Sequence, residues 1–240
     1  MPFVVVAARV WQLTSASSVV AARIVISRPT LQSSLRRSLP SCTRRGKSCS
    51  PMTQLFVRIL VAASVIGFFV LNQVQEKIQK RYQPALDSTP PITKPLFVFG
   101  KLSMVLSWLM ALLQAAGISL RMFVLPDRVT LCGGILLVLG FLWTAAAFSA
   151  LGNENTIGLP TKETSLRTMG LYRISRNPIY VGFATMSVGA AIYTANIATL
   201  VLAAAAIAVH HKIILAEEIF LAARFGAVYE EYRRGRRRYV

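Results

Sequence analysis

Charged residues are scarce in this sequence, and acidic residues are the scarcest. Of 240 residues, 15% are charged and 54% are hydrophobic, with nine Asp and Glu against 27 Lys and Arg. Soluble domains carry about 25% charged residues, so this composition excludes an ordinary soluble protein. We therefore predict a multi-pass integral membrane protein, with the lipid bilayer as its first partner.

Cysteine is also rare, which limits the possible metal and redox sites. Cys42, Cys49 and Cys132 are odd in number, and their spacing matches neither a zinc site nor a redox motif. We therefore expect no bound metal. The net charge of +18 does not indicate a nucleic-acid-binding protein, because no aromatic-interleaved basic fold accompanies the charges.

Long apolar runs recur between the sparse charges, and several approach the roughly 20 residues that a helix needs to cross a bilayer. Only residues 194–196 separate the last two runs, which predicts a tight helical hairpin. We predict an all-α integral membrane protein with about five transmembrane helices, and four is the alternative count. The runs cover residues 55–71, 102–118, 129–151, 179–193 and 197–215.

Basic residues gather in the segments that follow the first, third and fifth apolar runs. Lys and Arg accumulate in short loops on the cytoplasmic or matrix side, so these three segments are expected to share one side. The connection between the second and third runs carries Arg121 and Arg128, offset by Asp127. The net charge therefore reflects membrane topology, and the arginines of the tail can also contact anionic lipid.

The N-terminal extension, residues 1–51, differs from the remainder of the chain. It is rich in Arg and Ser, and the first acidic residue of the sequence is Glu76. A basic, Ser-rich and acid-free segment is typical of an organellar transit peptide. A disordered basic tail and a start codon upstream of a true start at Met52 are the alternatives. The expected location is the endoplasmic reticulum or a mitochondrial or plastid membrane.

A long polar, glycine-containing segment joins the third and fourth runs. Near its end, Asn177 suits the N-cap and Pro178 the first position of a helix. Such a helix start presents free backbone N–H groups and a positive dipole, which suit a ligand carboxylate. The alternative is a capped membrane helix with Tyr172 and Tyr180 at the interface.

Two adjacent carboxylates, Glu217 and Glu218, interrupt the last apolar stretch. Ionisable groups at membrane depth cost roughly 2.5 to 3.5 kcal/mol each, so they usually face a ligand, a partner or water. His210 shares a helix face with Glu217, and His211 shares the neighbouring face with Glu218. We predict a polar pocket facing the Arg176 loop, and the alternative is simple pairing of the glutamates with nearby arginines.

These motifs resemble those of the membrane methyltransferases that include isoprenylcysteine carboxyl methyltransferase and the phospholipid N-methyltransferases. The resemblance covers roughly residues 151–239. It rests on three ordered pieces, which are residues 170–172 leading to 176–182, residues 217–221, and Phe225-Gly226 with Tyr229 and Tyr232. The last piece also has the pattern of an amphipathic helix at the membrane surface.

The resemblance implies S-adenosylmethionine as methyl donor, held between the polar loop and the final helices. The apolar runs assign residues 52–151 to three transmembrane helices, and the resemblance makes residues 152–240 a cofactor-binding catalytic region with the last two transmembrane helices. Glu217 corresponds by position to the acidic residue that holds the donor, and Arg176 can receive the donor's carboxylate. The other implied contacts are Thr164, Ser165, Leu166, Arg167, Tyr172, Asn177, Pro178, Ile179 and Tyr180.

The acceptor is expected to be lipophilic, either the carboxyl group of a prenylated cysteine or the amine of a phospholipid. Ile213, Ile214 and Phe220 flank the glutamates with apolar surface that suits a prenyl or acyl chain. For an amine acceptor, His210 or His211 is the candidate base. The commoner family motif has His at the position of Asn177, and the carboxyl methyltransferases have a substrate-binding Arg at the position of Ile213. A membrane transporter or scaffold is the non-enzymatic alternative.

Overall fold

The computed structural model describes residues 50–82, 90–151 and 166–240, without the side chains of residues 78–82 and 151. Residues 1–49 of the N-terminal extension, together with Thr164 and Ser165, lie outside this part. The transit peptide therefore stays a prediction. The elements described are α1 (Pro51–Tyr82), α2 (Lys94–Ala115), α3 (Asp127–Leu151), the 3₁₀ turn Gly170–Arg173, α4 (Pro178–Thr194), α5 (Ile197–Phe225) and α6 (Ala227–Gly235).

Within the described residues, four helices are long and apolar enough to cross a membrane, namely α1, α2, α3 and α5. The predicted all-α membrane fold is thereby confirmed. Helix α4 has 17 residues, about 25 Å of helix, and is shorter than the roughly 30 Å hydrocarbon core. It nevertheless runs from the end of the bundle at which α3 ends to the end at which α5 begins, as the predicted fifth helix would.

Small residues allow α3 and α4 to pack closely. A Cβ added to Gly182 would lie 2.1 Å from Thr144 Oγ1, and one added to Gly189 would lie 2.5 Å from the Leu137 backbone nitrogen. Neither position can carry a larger side chain at this helix separation. Close approach through small residues is typical of membrane helices. It fixes the start of α4 against α3.

The turn between α4 and α5 is as short as the sequence predicts. Ala195 adopts the left-handed conformation with φ of 46° and reverses the chain. Asn196 then caps α5, because its Oδ1 accepts hydrogen bonds from the backbone N–H groups of Ala198 at 2.8 Å and Thr199 at 3.4 Å. The Met122 backbone N–H donates to the Ala195 carbonyl at 3.0 Å and ties the turn to the α2–α3 connection.

Aromatic side chains fill the core between α1, α2 and α4. Trp108 is fully buried, and its ring centroid lies 4.6 Å from that of Phe68 and 5.8 Å from that of Phe183. Its indole N–H donates to Ser187 Oγ at 3.1 Å, which satisfies the one polar group of this side chain. Phe183 also lies 6.0 Å from the Tyr180 ring, so the core extends to the start of α4.

The helix directions define two ends of the bundle. The polar end contains the 3₁₀ turn, the start of α4, the end of α5, helix α6 and the tail, whereas the opposite end contains the start of α1, the α2–α3 connection and the α4–α5 turn. Most basic residues that the structure describes lie at the polar end, as the charge rule predicts for a cytoplasmic or matrix face. Helix α6 buries Tyr229 and exposes Glu230 and Arg233, which is an amphipathic arrangement.

Candidate active site

The start of α4 has the predicted position but a different capping arrangement. Pro178 is the first residue of the helix and Asn177 stands at the N-cap, yet the Asn177 side chain makes no capping hydrogen bond. Its Nδ2 instead donates to Glu218 Oε1 and to the Arg238 carbonyl, both at 3.2 Å. A bond to a carboxylate is stronger than one to a neutral group, which accounts for the departure from the expected cap.

Glu218 lies at the centre of a buried ionic network. Arg176 Nη2 lies 3.4 Å from Oε1, and Arg238 Nη2 lies 2.9 Å from Oε2, with Arg238 Nε donating to both oxygens. The alternative interpretation, pairing of a glutamate with nearby arginines, therefore describes Glu218. The hydrogen bonds from Glu218 raise the pKa of Arg238 above its ordinary value.

The C-terminal tail completes this network. Residues Ser175 and Arg237 form a parallel β-bridge, in which the Arg176 backbone N–H donates to the Arg237 carbonyl at 3.0 Å. Ser175 Oγ donates to the Arg238 carbonyl at 3.2 Å. The sequence indicates only that the tail arginines can contact anionic lipid, and it contains no periodic signal that predicts this docking of Arg238.

Glu217 belongs to a separate polar cluster. Its Oε1 accepts a hydrogen bond from the Tyr180 hydroxyl at 2.7 Å, and Lys101 of α2 interacts with it electrostatically. The Lys101 ammonium also lies 4.1 Å from the centroid of the Phe97 ring. Sequence reasoning missed Lys101, although a lone cation in the second turn of an apolar helix is the natural counterpart of a carboxylate at membrane depth.

Tyr172 joins this cluster from the 3₁₀ turn. Burial, and then the neighbouring Tyr232 and Glu217, raise the pKa of Tyr172, so its phenol stays protonated at neutral pH. The Tyr232 hydroxyl donates to the Tyr172 carbonyl at 2.7 Å, which holds the turn against α6. Tyr172, Tyr180 and Glu217, three of the predicted donor contacts, are thus brought together.

The two histidines have different environments. His210 is buried, and its Nδ1 lies 2.7 Å from the Ala206 carbonyl. A carbonyl only accepts, so Nδ1 carries the hydrogen and Nε2 is left as an acceptor. The His210 ring lies 5.7 Å from the Tyr180 ring, whereas His211 is exposed and its Nδ1 contacts the Tyr239 hydroxyl.

An apolar cavity of about 580 Å³ lies between α2, α4 and α5, beside this cluster. Its size falls within the roughly 300–1,000 Å³ of small-molecule sites. Of the three predicted acceptor contacts, Ile214 lines it. Ile213 is buried without lining it, and Phe220 lies under Arg224, 5.8 Å from the guanidinium carbon. The other lining residues include Met104, Tyr180, Phe183, Ser187, His210, His211 and Tyr239.

The remaining predicted donor contacts have mixed surroundings. Leu166 and Arg167 are partly buried at the start of the described segment. Pro178 is buried, and its carbonyl accepts a hydrogen bond from Trp143 Nε1 at 2.9 Å. Ile179 packs against the apolar core. In the described part of the chain, no group of three His, Cys, Asp or Glu could hold a metal ion, and the absence of metal stays a prediction.

Comparison with known protein families identifies this region. The phospholipid methyltransferase family model matches residues 129–228, from the first turn of α3 into α6. Residues 129–228 are thus similar to a phospholipid methyltransferase domain. This family of membrane methyltransferases includes isoprenylcysteine carboxyl methyltransferases, so the resemblance in the sequence motifs is confirmed. Its members generally use S-adenosylmethionine. A comparison with curated proteins gives no match.

Proposed function

We propose that this protein is an integral membrane methyltransferase that transfers a methyl group from S-adenosylmethionine to a lipophilic acceptor. The phospholipid methyltransferase domain supports the reaction class. The observation that carries the proposal is the Glu217–Tyr180 pair, with its 2.7 Å hydrogen bond, next to the apolar cavity of about 580 Å³. A hydrogen-bonded carboxylate and an apolar cavity together suit a polar donor and a lipophilic acceptor.

The residues near Glu217 fit the chemistry of the donor. S-Adenosylmethionine supplies a methyl group on a positively charged sulfur, and it also carries an ammonium and a carboxylate. Glu217 would accept hydrogen bonds from the ammonium. Arg176 would receive the carboxylate, because its Nε and Nη1 are buried near the Tyr229 hydroxyl without a hydrogen bond of good geometry among the described residues.

The chain's own contribution to the rate is positioning and exclusion of water. Methyl transfer forms a bond from acceptor oxygen or nitrogen to carbon as the carbon–sulfur bond breaks, and it needs the reacting atoms in line. The apolar walls of the cavity, such as Phe183 and Ile214, keep water from the acceptor. No nucleophile on the protein is required.

A prenylated cysteine is the first candidate acceptor. Its carboxylate loses no proton on methylation, and Lys101 beside Glu217 provides positive charge that would attract it. A phospholipid amine is the second candidate, and one observation favours it. The amine must release a proton, and His210 Nε2 is an acceptor at the cavity wall.

Radiolabelled methyl transfer by purified full-length protein tests the proposal. Donor is supplied with a farnesylcysteine analogue or with phosphatidylethanolamine, and the labelled lipid product is counted. Within each series, efficiency should rise with chain length, by up to about 0.8 kcal/mol per buried methylene. Transfer to neither acceptor, or equal turnover of short water-soluble analogues, would contradict it.

Substitution of the two adjacent histidines distinguishes between the two candidate acceptors. We expect His210→Asn to reduce transfer to the amine by about tenfold or more, since general bases contribute roughly 10²- to 10⁴-fold, and to leave transfer to the carboxylate within about threefold. His211→Asn is the comparison variant, because His211 also lines the cavity but is exposed and contacts Tyr239. If both substitutions affected transfer to both acceptors equally, His210 would not be the general base.

A further inference from the structure

A second polar cavity, of about 290 Å³, lies at the opposite end of the bundle. It is formed by the start of α1, the end of α2, the start of α3 and the end of α4. Tyr193 lines it, and this residue is thirteen positions after Tyr180 on the same helix, about 20 Å away. The methyl-transfer chemistry proposed above cannot reach across that distance, so this cavity needs an explanation of its own.

Charges of both signs line this cavity. Arg58 and Arg121 both act electrostatically on Tyr193, and all three residues line the cavity. Asp127 faces the same space, where its Oδ2 accepts a hydrogen bond from Gln54 Nε2 at 3.3 Å. Guanidinium groups match phosphate oxygens in geometry and charge, and a carboxylate matches an ammonium.

Two buried oxygen atoms at the cavity point to a ligand that donates hydrogen bonds. Gln114 and Thr130 are 4% and 5% exposed, and both line the cavity. The Gln114 Nε2 donates to the Tyr193 carbonyl, whereas Gln114 Oε1 and Thr130 Oγ1 have no hydrogen-bond partner among the described residues. Buried polar atoms without partners are rare in folded proteins, and these acceptors would suit an ammonium.

Exposed apolar residues place the cavity beside lipid. In the α2–α3 connection, Met122, Phe123 and Val124 are 60%, 52% and 102% exposed, and Phe56 and Ile59 are similarly exposed on α1. Apolar side chains exposed in this way at the end of membrane helices are expected to lie in the bilayer. The cavity is therefore at the level of lipid head groups, on the membrane face opposite to Glu217.

We propose that this cavity binds the zwitterionic head group of a phospholipid from that membrane face. The phosphate lies between Arg58 and Arg121, and the ammonium lies toward Asp127 and Gln114 Oε1. The bound lipid joins α1, α2, α3 and α4 at their shared end, and it is distinct from any methyl acceptor.

Native mass spectrometry on delipidated full-length protein in detergent tests this site. Short-chain phosphatidylethanolamine, short-chain phosphatidylglycerol and inorganic phosphate are titrated separately. The double substitution Arg58→Gln and Arg121→Gln should lower the affinity for a single bound phosphatidylethanolamine by about tenfold or more. Arg128→Gln is the matched control, since Arg128 is exposed on the same face and does not line the cavity. Asp127→Asn should shift the preference toward phosphatidylglycerol.

Each of these measurements has a result that would overturn the proposed lipid site. Equal lipid binding by the double variant and by Arg128→Gln would overturn the site, and inorganic phosphate binding as tightly as the lipid would overturn the head-group assignment. If the double variant does not fold, an unchanged lipid preference in Asp127→Asn overturns it instead. Transfer to a farnesylcysteine analogue, measured in parallel, reports on the methyltransferase proposal independently.

Discussion

Glu217 and Glu218 are adjacent on α5, yet their carboxylates have different partners. Glu218 pairs with Arg176 and Arg238 and accepts a hydrogen bond from Asn177, so its charge is balanced by residues of this chain. Glu217 is held by Tyr180 next to Lys101, at the edge of an apolar cavity. Glu218 therefore organises the polar end, whereas Glu217 is the carboxylate that the proposed function assigns to the donor.

The largest effect is expected on stability, from Glu218→Ala. Removing one partner of a buried ion pair leaves Arg176 uncompensated and costs about 3 kcal/mol. At this chain length that corresponds to a fall of roughly 6–12 °C in the unfolding midpoint, measured in detergent without donor. Glu231→Ala, at an exposed position on α6, is the control. A midpoint equal to that of the control would show that the network is not structural.

Glu217→Gln is expected to act on donor affinity and hardly on stability. Hydrogen bonds to charged groups contribute about 1.5–3 kcal/mol, so affinity for S-adenosylmethionine should fall roughly 10- to 100-fold. Calorimetry on the detergent-solubilised protein measures it. Glu218→Gln is the matched comparison at the neighbouring position. An equal loss of affinity in both variants would show that the two carboxylates do not differ in donor binding.

Arg238→Ala tests the docked tail. Because the Arg238 side chain is 32% exposed, solvent compensates part of the loss, and we expect about 1 kcal/mol of destabilisation. Limited proteolysis of the tail should become faster in the same variant. Arg236→Ala is the control, since Arg236 has no ion pair with Glu218 and is exposed. Identical proteolysis of both variants would contradict the docking.

The smallest effect is expected for Tyr180→Phe, which removes one hydrogen bond to Glu217 and retains the ring that contacts Phe183. A loss of about 1 kcal/mol corresponds to roughly fivefold weaker donor binding. The same calorimetric titration measures it, with the unfolding midpoint as the check that packing is intact. Unchanged affinity would remove Tyr180 from the donor site.

The sequence by itself determined the membrane class, the helices and the reaction class. Apolar runs set the helix positions because the bilayer accepts only backbones whose polar groups are paired internally. The two motifs, residues 176–182 and 217–221, indicated the methyltransferase family because each contains polar side chains within or next to an apolar, membrane-embedded segment. The tight turn at residues 194–196 and Pro178 as a first helical residue were also predictable, since both depend on the local backbone.

Only the tertiary structure decided which side chains meet. Neighbouring residues on a helix point about 100° apart, so the sequence could not tell whether Glu217 or Glu218 would face Arg176. Arg238 and Lys101 reach the site from the tail and from α2, and no local pattern encodes such contacts. Likewise, the cavity at the opposite end depends on four helix ends whose residues are far apart in the chain. Gly182 and Gly189 also fix the distance between α3 and α4, because the two helices approach so closely that neither glycine could carry a side chain.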